Sequence, residues 1–207
     1  MKRITVFIVD DHAILRMGLA SLLGTQKEIE VIGDAGDGES AIRKILKLRP
    51  DVVLMDLMMP EMDGVTATRR LLEKWPEAKV LALTSACMSD TINAVLQAGA
   101  RGAVLKTLDF ADLVDAINRV HAGKLALSAE IERILEEDPP VAGLSPRQAE
   151  MLDCIVRGLS NTDISTQFGI SKTVVKEHLN ALYGKLGAAN RTEAVAIALR
   201  KHLLKEM

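Results

Sequence analysis

The sequence predicts an α/β domain followed by a small all-α domain. Over residues 1–122, short apolar runs rich in β-branched and aliphatic residues alternate with segments of helical periodicity. From residue 144 onwards the pattern is purely helical and is interrupted by glycines. The charge divides in the same way: residues 1–122 carry 15 Lys and Arg against 17 Asp and Glu, whereas residues 144–207 carry 9 against 6.

Five strands are predicted in the first region, because each apolar run is short and ends near a polar or turn residue. Strands of this kind that alternate with helices imply a parallel sheet covered on both faces, with right-handed crossovers. The predicted strands are Ile4–Val9, about Glu30–Ala35, Val52–Met55, Val80–Leu83 and Ala103–Leu105.

A helix is predicted after each strand, because apolar residues there recur with a period close to 3.6 and a Gly or Pro follows most segments. The predicted helices are Ala13–Leu23, Glu39–Leu48, Val65–Lys74, Ser89–Ala98 and Phe110–His121.

A linker is predicted over residues 123–143, between domains at 1–122 and 144–207. It contains an acidic helical piece, SAEIERILEED, and then Pro139-Pro140, which favours extended chain. Beyond it, four short helices are expected to begin at capping residues Ser145, Ser160, Ser171 and Asn190. Four short helices joined by glycine turns are typical of a small helix-turn-helix module.

Composition narrows the classes of function. No apolar run reaches the ~18 residues of a membrane span, so we expect no membrane association. The apolar run in MKRITVFIVDD stops at two aspartates without a cleavage site, which disfavours a signal peptide. The two cysteines are far apart, which fits a reduced, cytoplasmic location. Aromatic residues make up 2% of the chain, so a surface that stacks on nucleic-acid bases is not expected.

Four of the predicted strands end on charged or hydroxyl residues. Asp10 and Asp11 follow the first strand, Asp56 the third, Thr84 the fourth and Lys106 the fifth. These ends should border one crevice, because ligands in open α/β sheets bind at the carboxyl ends of the strands. Three nearby carboxylates raise one another's pKa, and a divalent cation and a lysine would relieve the repulsion. This set would suit an aspartate that accepts a phosphoryl group.

The motifs IVDDH, VVLMDLMMPEMDG, LALTSA and GARGAVLK resemble those of a response-regulator receiver domain over residues 4–122. The resemblance implies a flavodoxin-like fold with five parallel strands, in which Asp56 accepts a phosphoryl group from a sensor histidine kinase. It also implies that Asp11, Asp56 and the backbone carbonyl of Met58 bind Mg²⁺, with Asp10 assisting through water. Thr84 and Lys106 would contact the phosphoryl group. We interpret His12 as a residue of the first helical turn rather than as a metal ligand.

One position departs from the receiver pattern. Receivers commonly carry an aromatic residue three positions before the pocket lysine, and here that residue is Ala103. We therefore hypothesise that switching relies more on the fourth helix and its leading loop, Ser85–Asp90.

Residues 144–195 resemble a LuxR/FixJ-type helix-turn-helix through GLSN, DIS, GIS, VVKEHL, KLG and NRTEAV. The resemblance implies that Ser171–Leu186 is the recognition helix in the major groove. Helical spacing predicts a buried stripe formed by Val175, Leu179, Leu182 and Leu186. The candidate DNA contacts are Lys172, Thr173, Lys176, Glu177, Asn180, Lys185 and Arg191.

Together the two resemblances predict a two-component response regulator of the NarL/FixJ class. It would not be a turnover enzyme, it would bind promoter DNA, and it would form a homodimer when phosphorylated or DNA-bound. The unphosphorylated first domain is expected to block the recognition helix. One alternative is an aspartyl-phosphate phosphohydrolase, although Met58 stands where that class needs a second acid. Another is a DNA-binding protein whose first domain is not phosphorylated and binds other proteins.

Overall fold

The structure is a computed structural model that describes residues 3–85, 88–137, 144–201 and 203. The chain forms two compact units, Met1–Pro139 and Pro140–Met207, called here the first and the second unit. No helix in the described part of the chain is long and apolar enough to cross a membrane.

The first unit alternates strands and helices, as expected. Its strands are β1 (Ile4–Val9), β2 (Ile29–Ala35), β3 (Val52–Asp56), β4 (Val80–Thr84), β5 (Gly102–Leu105) and β6 (Ala126–Leu127). Its helices are α1 (Ala13–Gly24), α2 (Gly38–Leu48), α3 (Gly64–Lys74), α4 (Ser89–Gln97), α5 (Phe110–His121) and α6 (Ala129–Glu137). The five predicted strands and the five helices after them are all present, with bounds within one residue of the prediction.

The strands form one parallel sheet in the order β2-β1-β3-β4-β5-β6. The strand β2 lies on one side of β1, whereas β3, β4, β5 and β6 follow one another on its other side. The direction in which strands are added therefore reverses at β1. Separate apolar cores fill the two faces: α2, α3, α4 and α6 contribute to one, and α1 and α5 contribute to the other. Both faces are therefore covered, which is why the inner strands β1, β3, β4 and β5 are almost entirely apolar.

Within the described residues the sheet has six strands rather than five, and the sixth lies in the segment 123–143 that is predicted to be a linker. The backbone N–H of Ala126 donates to the carbonyl of Arg101 at 3.0 Å, and that of Ser128 donates to Ala103 at 3.3 Å. The acidic helix expected in this segment is α6, and its Ile131 is fully buried in the same core as Ala103. Residues 126–137 are therefore part of the first unit. The predicted Pro139-Pro140 break lies outside the described residues.

Ala103 is fully buried in β5, where its neighbour in β4 is Ala82. Part of the loop Ser85–Asp90, which we expect to take part in switching, lies outside the described residues, namely 86 and 87. That hypothesis stays a prediction.

The second unit contains four helices within its described residues, as expected: α7 (Pro146–Val156), α8 (Asn161–Phe168), α9 (Lys172–Leu186) and α10 (Arg191–Arg200). Ser145 and Ser160 each form a reciprocal capping box, and Ser171 caps α9 by accepting from the N–H of Val174. Gly169 and Gly187 end α8 and α9 with φ of 61° and 70°, a left-handed conformation that glycine adopts without a steric penalty.

The capping box predicted at Asn190 is only half formed. Asn190 accepts from the N–H of Glu193, but the Glu193 carboxylate turns to the N–H of Ala189 at 2.8 Å.

Candidate functional site

The predicted strand-end residues meet at one edge of the sheet in the first unit. The strands β1, β3, β4 and β5 are consecutive neighbours, so their carboxyl ends lie side by side. Asp10, Asp56 and Thr84 are fully buried there, and Asp11 and Lys106 retain some exposure. We call these five residues the acidic pocket.

Lys106 links two carboxylates of the acidic pocket. Its Nζ lies 2.7 Å from Asp10 Oδ2 and 2.8 Å from Asp56 Oδ2. The backbone N–H of Lys106 donates to the carbonyl of Thr84 at 2.8 Å, which continues the parallel pairing beyond the strand ends. One ammonium group, carried by the residue that follows β5, therefore joins the carboxylates at the ends of β1 and β3.

Backbone N–H groups hold the other oxygen of each buried carboxylate. The N–H of His12 donates to Asp10 Oδ1 at 2.8 Å, and the N–H of Met58 donates to Asp56 Oδ1 at 3.1 Å. Both are bonds to the residue two positions ahead, a pattern typical of aspartate in turns. Each carboxylate is thus oriented by the loop that follows its own strand.

Burial raises the pKa of Asp56 above its usual range. The bond from Lys106 and the Met58 N–H act in the opposite direction, and the nearby Asp10 adds to the increase. For Lys106, burial would lower the pKa, but the hydrogen bonds to Asp10 and Asp56 outweigh it, so the pKa lies above its ordinary value. The ammonium form of Lys106 is therefore favoured, whereas a full charge on Asp56 is opposed.

The side chain of His12 lies closer to the carboxylates of the acidic pocket than expected. His12 is the N-cap residue of α1 rather than a first-turn residue, and its side chain makes no capping bond. Its Nδ1 lies 2.8 Å from Asp11 Oδ1 and 3.4 Å from Asp10 Oδ1. One ligand atom from each of Asp10, Asp11, His12 and Asp56 lies within 4.8 Å of the others. The adjacency of His12 to the two aspartates was the sequence signal for this position.

The acidic pocket fits a divalent cation of the Mg²⁺ class. Three carboxylates can carry three negative charges, and Lys106 supplies one positive charge to the two that are fully buried. Mg²⁺ prefers carboxylate oxygens and retains several waters, so a partly open group of carboxylates suits it. The assignment of Met58 as a ligand through its carbonyl stays a prediction, because the contact seen at that residue is its N–H.

Arg16 supports the acidic pocket, although it is not among the site residues predicted from the sequence. Its Nη1 donates to the carbonyl of Asp10 at 2.7 Å, and its Nε donates to Asp34 Oδ2 at 2.9 Å. Arg16 therefore ties the end of β1 to the end of β2, immediately behind the acidic pocket. An arginine on an amphipathic helix gives no sequence signal for such a contact.

The helix α9 of the second unit has the faces that its spacing predicted. Val175, Leu179, Leu182 and Leu186 are buried, which confirms the predicted stripe. Five of the candidate DNA contacts are exposed and lie in the first turns and the middle of this helix: Lys172, Thr173, Lys176, Glu177 and Asn180.

The other two candidate DNA contacts are occupied inside the second unit. Arg191 Nη2 donates to the carbonyls of Ile155 and Leu159, at 3.1 and 2.7 Å. Lys185 Nζ donates to Gln148 Oε1 at 3.2 Å. The Arg191 guanidinium thereby satisfies carbonyls at the end of α7 and in the following turn, which is a structural task that the sequence did not reveal.

Comparison with known proteins agrees with this arrangement. The family model of the response regulator receiver domain matches residues 6–118, and that of bacterial regulatory proteins of the luxR family matches residues 142–198. The transcriptional regulatory protein LiaR of Bacillus subtilis is 37% identical over 97% of this chain and 99% of its own length. The response regulator VraR of Staphylococcus aureus is 36% identical over 98% of this chain and 99% of its own.

Solved structures of response regulators resemble the chain as well. RcsB of Salmonella typhimurium has a TM-score of 0.77 at 27% identity, covering 94% of this chain and 98% of its own. An RcsB–DNA complex has a TM-score of 0.72 at 27% identity, covering 97% of this chain and 99% of its own. The chain therefore belongs to the two-component response regulators that join a receiver domain to a LuxR-type DNA-binding domain.

Proposed function

We propose that Asp56 is the phosphoacceptor of this response regulator and that its phosphorylation controls binding of the second unit to promoter DNA. The observation that supports this most strongly is the pair of contacts from Lys106 Nζ to Asp10 and Asp56, both fully buried. A lysine in that position can follow negative charge that moves from a carboxylate to a transferred phosphoryl group.

In the proposed reaction, a carboxylate oxygen of Asp56 forms a bond to phosphorus. The bond from phosphorus to the donor breaks at the same time, and its electron pair leaves with the donor. The Met58 N–H and Lys106 orient the Asp56 carboxylate, and the Thr84 hydroxyl donates to a phosphoryl oxygen after transfer. Asp10, Asp11 and Asp56 would hold Mg²⁺, which supplies positive charge to the phosphoryl oxygens when it is bound.

The donor is a sensor histidine kinase, since the receiver domain belongs to two-component systems. The reaction ends with the phosphorylated protein, and the protein does not act as an enzyme that turns over a substrate. Met58, two residues after Asp56, is half exposed and offers no acid for a phosphohydrolase mechanism.

The second unit binds DNA through the exposed side of α9, with Lys172 and Lys176 contacting phosphates or guanine and Asn180 contacting adenine. A homodimer would place two such helices on two half-sites, as DNA-binding dimers of this type do. The exposed Leu199 on α10 is a candidate for the dimer contact. The protein would act in the cytoplasm, where promoter DNA is found.

Phosphorylation can be tested by mass spectrometry of the full-length protein after treatment with acetyl phosphate and Mg²⁺. We expect addition of one phosphoryl group, located by peptide mapping to Asp56. The Asp56→Asn variant should gain none, and an exposed control, Asp115→Asn, should react normally. Phosphorylation at another residue, or none in the wild-type protein, would refute the assignment.

The link to DNA is tested by measuring binding to promoter fragments with and without acetyl phosphate. We expect tighter binding after phosphorylation and no such change in Asp56→Asn. An equal affinity in both states would refute control by Asp56, and would also count against blocking of the recognition helix by the unphosphorylated first domain.

A further inference from the structure

The position of His12 at the mouth of the acidic pocket is not used by the proposed phosphoryl transfer. Its backbone begins α1, but its imidazole makes no capping bond and the side chain is 69% exposed. The ring is therefore free of any role in the core or in the helix start. What it does contact is Asp11, through Nδ1 at 2.8 Å.

The distances suit a shared metal ion. In sites with metal–ligand bonds of about 2.1 Å, neighbouring ligand atoms lie about 3 Å apart and opposite ones about 4 Å apart. The separations here run from 2.8 Å between His12 and Asp11 up to 4.8 Å across the group. Small side-chain rotations would bring all four ligand atoms around one ion. Among the described residues, this is the one group of three or more His, Cys, Asp or Glu with such spacing.

A second observation indicates a cation rather than a simple hydrogen-bonded cluster. Asp10 and Asp56 are fully buried, and both depend on the single ammonium of Lys106. Buried carboxylates with too little positive charge nearby are costly and favour cation binding. Neutral imidazole adds a ligand atom without adding negative charge.

The kind of ligand determines the kind of ion. Mg²⁺ takes oxygen ligands and gains little from an imidazole nitrogen, whereas first-row transition ions bind imidazole well. We propose that His12 is a nitrogen ligand in the acidic pocket and gives it a preference for transition ions such as Mn²⁺ over Mg²⁺. This inference rests on the proposed cation site at Asp10, Asp11 and Asp56, and it adds the chemical class of ion that the site selects.

The test uses the full-length protein with Mn²⁺ as the probe, followed by electron paramagnetic resonance. The pulsed spectrum of the wild-type complex should show nitrogen modulations from a coordinated imidazole. His12→Asn should abolish them and weaken Mn²⁺ binding about tenfold. Asparagine is favoured at N-cap positions, so this variant should retain the start of α1. His178→Asn, at an exposed position of α9, is the matched control and should leave the spectrum unchanged.

The affinity for Mg²⁺, measured by competition with Mn²⁺, should change no more than about twofold in His12→Asn, because Mg²⁺ relies on oxygen ligands. An imidazole signal missing from the wild-type protein or retained in His12→Asn would overturn the proposal, as would an equal loss of both affinities. Phosphorylation of Asp56 with Mg²⁺ is scored separately on the same variants. Normal phosphorylation without an imidazole signal refutes only the role of His12, whereas an imidazole signal without phosphorylation refutes only the proposed function.

Discussion

Gly64 lies so close to Asp56 that a Cβ atom on it would overlap the carbonyl oxygen of Asp56 and lie 2.8 Å from the Cα of Leu57. Gly64→Ala should therefore displace the loop after β3 and lower the free energy of unfolding by about 2 kcal/mol. Urea unfolding followed by the fluorescence of Trp75, the one tryptophan, reports on this unit. The control is Gly18→Ala in α1, where a Cβ meets nothing within 4 Å. That change should instead stabilise by up to about 1 kcal/mol. Equal effects of the two substitutions would contradict the steric argument.

The buried charge of Asp56 should make stability depend on pH. Its pKa is raised in the folded state, so the folded protein holds this proton more tightly than the unfolded chain. Stability is then lost as pH rises from the ordinary aspartate pKa through the folded value. Asp56→Asn removes this loss, and its advantage over the wild-type protein should grow between pH 4.5 and 7.5 in EDTA. Urea midpoints at the two pH values measure it, and a constant difference would contradict the expectation.

Removal of Lys106 should leave Asp10 and Asp56 without their shared cation. Lys106→Gln should lower the free energy of unfolding in EDTA by about 2 kcal/mol, less than for a wholly buried pair because the lysine retains some solvent contact. Added Mg²⁺ should raise the melting temperature of this variant more than that of the wild-type protein, since its pocket is more negative. Thermal unfolding with and without Mg²⁺ tests both points. A smaller shift in the variant would show that Lys106 does not offset the charge.

Substitutions of Arg191 and Lys176 should distinguish a residue that stabilises the second unit from one that contacts DNA. Arg191→Ala removes the donor to the Leu159 carbonyl, whereas the Ile155 carbonyl keeps the N–H of Gly158, so the change should cost about 1 kcal/mol of stability. Lys176→Ala, at an exposed site, should change stability by less than about 0.5 kcal/mol. It should nevertheless weaken DNA binding and reduce the slope of log K against log salt by about 1. Circular dichroism during unfolding and binding titrations at several salt concentrations measure the two effects. If Arg191→Ala left the protein stable but weakened DNA binding, the result would indicate that Arg191 contacts DNA.

Ile131 should stabilise the first unit although it lies outside the predicted domain. It is fully buried, so Ile131→Ala should lower the free energy of unfolding by about 3 kcal/mol. Glu132→Ala, on the exposed side of the same helix, should have little effect. Trp75 fluorescence during urea unfolding makes the comparison. Equal small effects would mean that α6 does not stabilise this unit.

The acidic pocket was predictable because parallel strands bring their carboxyl ends to one edge of the sheet. Short apolar runs located those ends, so Asp10, Asp56, Thr84 and Lys106 followed from spacing alone. The internal hydrogen bonds of two basic side chains, Arg191 and Lys185, were not predictable in this way. Arg191 and Lys185 look like surface groups in sequence, because the carbonyl and amide oxygens that bind them come from residues more than thirty positions away.

The contribution of residues 126–137 to the first unit is not evident from the sequence for a different reason. Their acidic composition indicated a solvated linker, and the apolar positions Ile131, Ile134 and Leu135 carried too short a pattern to reveal a buried face. The two residues of β6 are also too few to register as a strand.

The pairing of β6 with β5 also bears on how this domain is cut from the chain. A fragment that ends at residue 122 would leave the backbone groups of β5 open at the margin of the sheet. An open margin of apolar strand is a template for pairing between molecules and hence for aggregation. The strand Ala126–Leu127 covers this edge of β5, so we expect a receiver fragment that extends through residue 137 to aggregate less than one that ends at residue 122.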